Sequence, residues 1–265
     1  MGVTGAASAQ DVEAVIAEFT AAGYSMSSPH VPALGFSVSS QDDNRGGRKY
    51  IPSLETLIPL VRQAAGRVLP VIHFRTDNKN TLCGQVKKVF NSAYEEGKRG
   101  LYEEGLCRTL QLNWTSDPQL VSQLRTIKKD PELCEMQIIL RLGRGDMRVR
   151  TNGEIAKEIL KYGKTINYVI IAAEMTTGKF DLERVVSLYL ELRKIRHLTV
   201  GFTGRFTGDN VEERVGALND GIKTNSKPSE TATMCINAKD GLMTDNVLDP
   251  QKFRAYLQAL ARVQP

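Results

Sequence analysis

The chain has 265 residues, of which 41% are hydrophobic, 25% charged and 6% aromatic, with 22 Gly and 10 Pro. These ordinary globular proportions exclude a collagen-like, low-complexity or disulfide-scaffold protein. Lys and Arg exceed Asp and Glu by 35 to 30, and the resulting net charge of +5 is small for a nucleic-acid-binding protein. No apolar run approaches the roughly 20 residues of a membrane span, so no membrane association is expected.

The cysteines and the N-terminus indicate an intracellular protein. Cys83, Cys107, Cys134 and Cys235 lie far apart, and without a Cys-x-x-Cys pair a structural zinc site is not expected. The first residues lack a basic segment followed by an apolar one, so no signal peptide is predicted. Widely spaced cysteines without such a signal fit a reducing compartment. We expect a nuclear or cytoplasmic location and no metal or other cofactor.

Apolar runs of strand length alternate with amphipathic helical patterns along the chain. A first helix is predicted where apolar residues recur at helical spacing from Val12 to Phe19. The strands that follow include continuous apolar runs, which are typical of strands buried on both faces in a parallel sheet. The last predicted helix begins at Asp249-Pro250, an N-cap followed by the residue suited to the first helical position. The predicted strands are Ala33–Ser39, Val68–Phe74, Thr109–Trp114, Met136–Leu142, Tyr168–Ala173, Leu198–Thr203 and Thr233–Ala238.

Repeated strand–helix units in a chain of this length predict either a closed (β/α)8 barrel or an open doubly wound sheet. No Gly-x-Gly-x-x-Gly follows the first predicted strand and no Walker-type loop occurs, which favours an α/β TIM barrel. An eighth strand is expected in Gly23–Ser27 or near Gly241–Val247. We expect residues 31–265 to form the barrel, and residues 1–30 to form an N-terminal helix and a lead-in segment before it.

The carboxyl ends of the strands form the active mouth of a TIM barrel, so polar residues there are candidates for function. Basic and amide groups outnumber acids at these positions, which is typical of a site for a small anionic or polyhydroxy ligand. None of the predicted strand cores contains a Lys, whereas imine chemistry requires a desolvated amine. The polar residues at the predicted strand ends are Ser37, Ser39, Ser40, His73, Arg75, Thr76, Asp77, Gln111, Asn113, Arg141, Arg144, Glu174, Arg205, Asn237 and Lys239.

One predicted strand resembles a known enzyme family. The run Leu69-Pro70-Val71-Ile72-His73-Phe74-Arg75-Thr76 is similar to the Leu-Pro-Ile-Ile-Phe-Thr-x-Arg-Thr signature of type I 3-dehydroquinate dehydratases. The stretches 162–173, 180–184 and 198–204 follow the order and spacing of that family's fifth and sixth strands. The resemblance implies a barrel from about Ala33 to the C-terminus. Family members dehydrate 3-dehydroquinate through a Schiff base to a strand lysine, helped by a histidine.

The resemblance also implies that the family's catalytic residues have been replaced. It places the Schiff-base lysine on Ile170 and the histidine on Gly143. The Glu-x-Arg-x-Asp of the family's first strand falls on Gly35, Ser37 and Ser39. Because isoleucine cannot form an imine, the resemblance implies a catalytically inactive domain without catalytic residues. An amine that reaches the central cavity would remove the basis for this prediction.

Two ligand-contacting positions of the family remain, Arg75 and Gln251. Together with His73, Ser37 and Arg141 at the predicted mouth, they are our candidate ligand-binding residues. Such a degenerate domain is characteristic of fungal quinate repressors, so the resemblance implies a regulatory domain excised from a larger multidomain protein. Its expected partners are quinate, shikimate or 3-dehydroquinate and the activator protein of the quinate-utilisation genes, with no direct nucleic-acid contact.

Two other functions stay open. One is an active lyase with a relocated amine, for which Lys164 and Lys239 are the candidates. The other is an unrelated phosphate-binding barrel enzyme, in which residues 201–208 and the following Asn210-Val211 present backbone N–H groups at a helix N-terminus. Separately, the arginines at 141, 144, 148 and 150 form either an anion-binding cluster or an ordinary solvated loop.

Overall fold

The protein folds as a closed barrel of eight parallel strands surrounded by helices. The computed structural model describes residues 1–39, 53–76, 78–91, 99–173, 180–226, 234–245 and 247–263. Neighbouring strands pair in chain order, and the last strand pairs with the first. The predicted α/β TIM barrel is therefore confirmed. The strands are β1 (Gly2–Thr4), β2 (Ala33–Ser39), β3 (Leu69–Arg75), β4 (Thr109–Asn113), β5 (Gln137–Leu142), β6 (Tyr168–Ala172), β7 (Thr199–Gly204) and β8 (Cys235–Ala238).

The helices lie between the strands, and polar caps fix where several of them begin. Ser8 and Thr151 each form a capping box with the acidic residue three positions later. Asp249 caps the last helix ahead of Pro250, as predicted. Within the described ranges, no helix is both long and apolar enough to span a bilayer. The helices are α1 (Ala9–Ala21), α2 (Leu54–Ala64), α3 (Leu82–Asn91), α4 (Pro118–Lys129), α5 (Arg144–Val149), α6 (Asn152–Leu160), α7 (Leu182–Arg193), α8 (Val211–Asn225) and α9 (Pro250–Ala261).

The predicted position of the eighth strand was wrong. The barrel closes through β1, which pairs with β2 on one side and β8 on the other. Gly2–Thr4 therefore belongs to the barrel, although it was expected in the lead-in segment before it. A strand of three residues is too short to show an alternating pattern, so only its pairing partners identify it. The segment near 241–247 contributes instead to a small antiparallel pair outside the barrel, β9 (Met243–Thr244) with β10 (Val247–Leu248).

The other predicted strands agree with the structure to within one or two residues at each end. Ala33–Ser39 matches β2 at both ends, whereas β3 begins one residue after the predicted Val68. The first residue of the last predicted strand, Thr233, lies outside the described residues.

Alternate side chains of each strand pack on opposite sides of the barrel wall. One set packs between the sheet and the helices, where Trp114, Tyr189 and Phe202 are among the largest fully buried side chains. The other set fills the barrel interior, where Val71, Ile139 and Ile170 form a separate apolar cluster. On each of these strands the residue two positions later lines the cavity at the mouth: His73, Arg141 and Ala172. The cluster therefore forms an apolar floor beneath the mouth of the barrel.

A side chain at Gly201 on β7 would collide with the neighbouring strand. An added Cβ would lie 2.6 Å from the carbonyl oxygen of Cys235, and that backbone atom is fixed by pairing with β8. We expect Gly201→Ala to lower the free energy of unfolding by about 1–3 kcal/mol, measured by urea denaturation. Gly84→Ala in α3 is the control, since nothing lies within 4 Å of the added methyl group. Equal losses in both variants would contradict this interpretation.

Candidate functional site

The carboxyl ends of the strands surround a cavity of about 240 Å³. Its wall is mostly polar and carries more positive than negative side chains. Hydroxyl, amide and cationic groups come from seven of the eight strands and from the residues that follow them, as expected for the mouth of a TIM barrel. The polar lining residues are Thr4, Ser37, His73, Arg75, Gln111, Asn113, Arg141, Thr203, Asn237, Lys239 and Asp240.

The structure brings together all but one of the candidate ligand-binding residues. Ser37, His73, Arg75 and Arg141 line the cavity. Gln251 does not line it, because this residue lies in the first turn of α9 with an exposed side chain. Its backbone N–H donates to the capping carboxylate of Asp249 over 3.0 Å. The position that the resemblance assigned to ligand contact therefore belongs to the start of α9.

His73 lies at the centre of a hydrogen-bonded group in the wall. The side-chain nitrogen of Gln111 lies 3.3 Å from His73 Nδ1, and Thr4 Oγ1 lies 3.4 Å from Nε2. With the amide nitrogen of Gln111 in this orientation as the donor, Nδ1 accepts, and the proton of the neutral ring is then assigned to Nε2. Gly35 makes this close approach possible, since a Cβ there would lie 2.5 Å from Thr4 Oγ1 and 2.7 Å from Nε2.

The surroundings of His73 keep its ring neutral. Burial lowers the pKa of the imidazole to about 3, and the nearby charges of Lys239 and Arg141 act in the same direction. Near neutral pH the wall therefore combines cationic side chains with a neutral imidazole. In this state His73 offers a directed hydrogen bond and adds no charge of its own.

The lowered pKa of His73 predicts a pH-dependent stability. Between about pH 6.5 and pH 3 the unfolded chain binds a proton at this ring that the folded protein does not bind. Stability contributed through His73 should therefore fall as the pH is lowered through this range. We expect His73→Gln to flatten the pH dependence of the free energy of unfolding between pH 4.5 and 6.5, measured by urea denaturation at each pH. An unchanged slope would show that the ring protonates in the folded state.

The position that the resemblance assigned to the Schiff-base lysine lies in the apolar floor. Ile170 packs with Val71 and Ile139, and it is only 6% exposed. Gly143 is the N-cap of α5 and carries no functional group. Lys164 lies in a short 3-10 helix before β6, at the opposite end of that strand from the mouth. Lys239, however, lines the cavity, and its charge acts on His73, so an amine does reach the mouth of the barrel. This position removes the basis for expecting a catalytically inactive domain from the loss of the lysine at position 170.

The arginines at 141, 148 and 150, for which the sequence left a cluster or a solvated loop open, do not form one site. Arg141 lies in the cavity, whereas Arg148 and Arg150 line a separate surface depression together with Arg184. The side chain of Arg144 lies outside the described residues. The guanidinium of Arg150 lies 6.0 Å from the ring centre of Trp114, a cation–π distance that anchors it locally.

The loop proposed for phosphate binding uses some of its donors internally. The side-chain oxygen of Asn210 accepts a hydrogen bond from the Thr207 N–H over 3.0 Å. The amide nitrogen of the same side chain donates to the carbonyl oxygen of Arg205, also over 3.0 Å. Thr203 and Gly204, at the end of β7, are the residues of this segment that line the cavity.

Thr4 is a cavity residue that the sequence analysis missed because β1 was missed. No periodic pattern marks Thr4 in the sequence, where it lies between Gly2-Val3 and Gly5-Ala6-Ala7. Asp240 was also missed, since it follows the last predicted strand at a turn into a 3-10 helix. Within the part of the chain that the structure describes, no group of three or more His, Cys, Asp or Glu could hold a metal ion.

Solved structures similar to this chain are TIM-barrel enzymes. N-(5'-phosphoribosyl)anthranilate isomerase from Pyrococcus furiosus matches with a TM-score of 0.59 and 16% identity, over 99% of this chain and 98% of that chain. Phosphoribosyl anthranilate isomerase from Thermus thermophilus matches with a TM-score of 0.56 and 14% identity, over 99% and 98%. Sialic acid synthetase from Leptospira borgpetersenii, in complex with citrate, matches at 0.51 and 9%, over 98% and 82%.

These comparisons define the class of protein. The chain is an α/β protein with the TIM-barrel fold, and a polar cavity lies at the mouth of its barrel. No protein-family model and no curated protein matches the sequence. At such low identities the similarity concerns the fold, so function has to be argued from the cavity.

Proposed function

We propose that the protein binds a small hydroxylated anion in the mouth of its barrel and does not carry out Schiff-base dehydration at position 170. The observation that carries this proposal is the set of cationic side chains around one small cavity. Arg75, Arg141 and Lys239 all line a space of about 240 Å³, in which Asp240 is the acidic lining residue among those described. A carboxylate or phosphate placed there gains charge-assisted hydrogen bonds.

The neutral groups of the wall favour a ligand with hydroxyl groups. The amide side chains of Gln111, Asn113 and Asn237 can each donate and accept, as can the hydroxyls of Thr4 and Ser37. The ring of His73 is held neutral, so it adds a hydrogen-bonding group and no repulsion toward polar ligand atoms. Such a wall suits a polyhydroxy acid better than an apolar anion.

The resemblance to degenerate dehydratases narrows this proposal. It suggests quinate, shikimate or 3-dehydroquinate as ligands, within a regulatory domain that represses quinate utilisation and contacts the activator protein. The burial of Ile170 in the apolar floor supports the loss of imine chemistry at that position. The names of the isomerase neighbours suggest a second type of hydroxylated anion, a phosphorylated ribose derivative, which shares the same recognition chemistry.

Titration calorimetry of the purified protein with quinate, shikimate, 3-dehydroquinate and ribose 5-phosphate tests the proposal. We expect saturable binding of at least one of these anions, weakening as the ionic strength rises because part of the attraction is screened. Binding of the carboxylates alone would favour the quinate-pathway ligand, and binding of the sugar phosphate alone would favour the phosphate-binding alternative. No binding at millimolar concentrations would contradict the proposal.

A second candidate function is imine formation at Lys239, and the observation that favours it is the position of this side chain in the cavity wall. Attack of a neutral amine on a ligand ketone forms a C=N bond and releases water, and borohydride reduces that bond to a stable amine. Treatment with 3-dehydroquinate and borohydride, followed by peptide mass spectrometry, distinguishes the two functions. An adduct on Lys239 that is absent from Lys239→Arg would establish covalent chemistry. Binding of 3-dehydroquinate without an adduct would favour the first function, anion binding without covalent chemistry.

A further inference from the structure

The segment that carries Lys239 and Asp240 into the cavity wall is a tight turn. These two residues directly follow β8, and Asp240–Leu242 forms a short 3-10 helix. The N–H of Leu242 donates to the carbonyl oxygen of Lys239 over 2.9 Å, which closes the turn. The side chain of Leu242 is fully buried in the core, so the far end of the turn is fixed. The position of this turn therefore sets the point from which the Lys239 side chain extends.

Gly241 lies in the middle of this turn and packs against a neighbouring loop. An added Cβ at this position would collide with the carbonyl oxygen of Phe206 and would lie 2.9 Å from Thr207 Cγ2. Phe206 follows β7 in the loop that leads to α8, and its side chain is fully buried. Because the obstructing oxygen belongs to the backbone of a buried residue, a side chain at Gly241 would displace the turn.

The other side of the turn lies against the end of β1. The side chain of Met243 packs over Gly5, where an added Cβ would collide with Met243 Cε. Gly5 directly follows the cavity residue Thr4, and its N–H donates to the carbonyl oxygen of Gly35 on β2 over 3.1 Å. The turn is thus held between the ends of β7 and β1, the two strands that pair with β8.

We infer that Gly241 is a positioning residue, because its lack of a side chain lets the turn lie against Phe206 and so places the amine of Lys239 in the cavity wall. This inference rests on the proposed function, in which Lys239 binds the anionic group of the ligand, and it assigns the alignment of that amine to a contact behind the wall. Gly241 is not among the described residues that line the cavity, so its effect on binding acts through its neighbours. A shift of about 1 Å would take the ammonium group out of hydrogen-bonding distance or force its side chain into a less favourable rotamer.

A double-mutant cycle, measured by titration calorimetry, tests this inference with whichever of quinate, shikimate, 3-dehydroquinate and ribose 5-phosphate binds. Gly241→Ala should weaken binding by about tenfold, since it removes most of the contribution of Lys239. In the Lys239→Met background the same substitution should change the affinity by less than about twofold, because the group that it displaces is already absent. In the Arg141→Met background the tenfold loss should persist, since Arg141 lies on β5 and does not depend on the turn.

Gly100→Ala is the matched control for the collision itself. An added Cβ at Gly100 would collide with the carbonyl oxygen of Phe90, again a backbone atom of a buried residue. Gly100 lies between α3 and β4, and loops from helix to strand lie at the end of a TIM barrel away from the mouth. This variant should lose stability in urea denaturation and keep its affinity within about twofold of the unmodified protein.

Met243→Ala provides a second variant that stays informative where Gly241→Ala folds poorly. It loosens the turn on the side of Gly5 without a collision, so it should weaken binding by a smaller factor, and only while Lys239 is present. Losses that multiply in the double variant of Gly241 and Lys239 would overturn the positioning role while anion binding stands. The same conclusion would follow from unchanged affinity in both turn variants, or from an equal loss in Gly100→Ala. Failure of the unmodified protein to bind any of the four anions would instead overturn the proposed function and, with it, this role of Gly241.

Discussion

Replacing Arg141 or Lys239 with Met should each weaken binding of the hydroxylated anion by about 10- to 100-fold. Hydrogen bonds to a charged partner contribute about 1.5–3 kcal/mol, and about 1.4 kcal/mol corresponds to a factor of ten in affinity. Both side chains line the cavity and are partly buried, so solvent screens their charges less than at the surface. Methionine keeps an unbranched apolar stem, so the packing of the wall should change little.

The same titrations supply the comparisons for this prediction. Arg75→Met should cause a smaller loss, because Arg75 is exposed at the end of β3. Arg148→Met should leave the affinity unchanged, since Arg148 lies in the separate surface depression. Binding that is insensitive to both Arg141→Met and Lys239→Met would place the ligand outside the barrel mouth.

Replacing Phe253 with Ala should lower the free energy of unfolding by about 3–5 kcal/mol. Phe253 of α9 is fully buried and meets Phe19 of α1 edge-on, with the ring centres 5.0 Å apart. It also stacks with Tyr256, whose ring centre lies 6.3 Å away. The variant removes the apolar contact between the first and last helices that surround the barrel. It also leaves a cavity that the surrounding structure fills only in part.

A neighbouring ion pair joins the same two helices and provides the comparison. Arg254 donates to the two carboxylate oxygens of Glu18 over 2.9 and 2.6 Å, which holds the pKa of Glu18 below its ordinary value. The Arg254 side chain is 63% exposed but that of Glu18 only 10%, so solvent screens the pair from one side. Arg254→Met leaves the largely buried carboxylate of Glu18 without its partner and should cost about 1–3 kcal/mol. Chemical denaturation measures the free energy of unfolding of both variants. A larger loss for Arg254→Met than for Phe253→Ala would show that the ion pair contributes more than the aromatic contact to the packing of α1 against α9.

Two sets of residues explain why the cavity was predictable only in part. Ser37, His73, Arg75 and Arg141 were predicted correctly as mouth residues because each lies near the carboxyl end of a strand with a clear apolar core. Thr4 was missed because no local pattern marks β1. Gln251 was inferred from the resemblance, and the structure places it outside the cavity. Thr4 faces the cavity through the pairing of β1 with β2 and β8, and Gln251 is turned away by the helix cap at Asp249.

The sequence by itself determined the alternation of strands and helices, the helix start at Asp249, and hence the barrel. These features depend on residue periodicity and on contacts within a few positions along the chain. The tertiary structure alone decided which strand closes the barrel, that Ile170 lies in the apolar floor, and that Thr4 faces the cavity. The physical reason is that these relations arise from strand register between residues far apart in the chain, where a shift of one position turns a side chain from the interior to the helices.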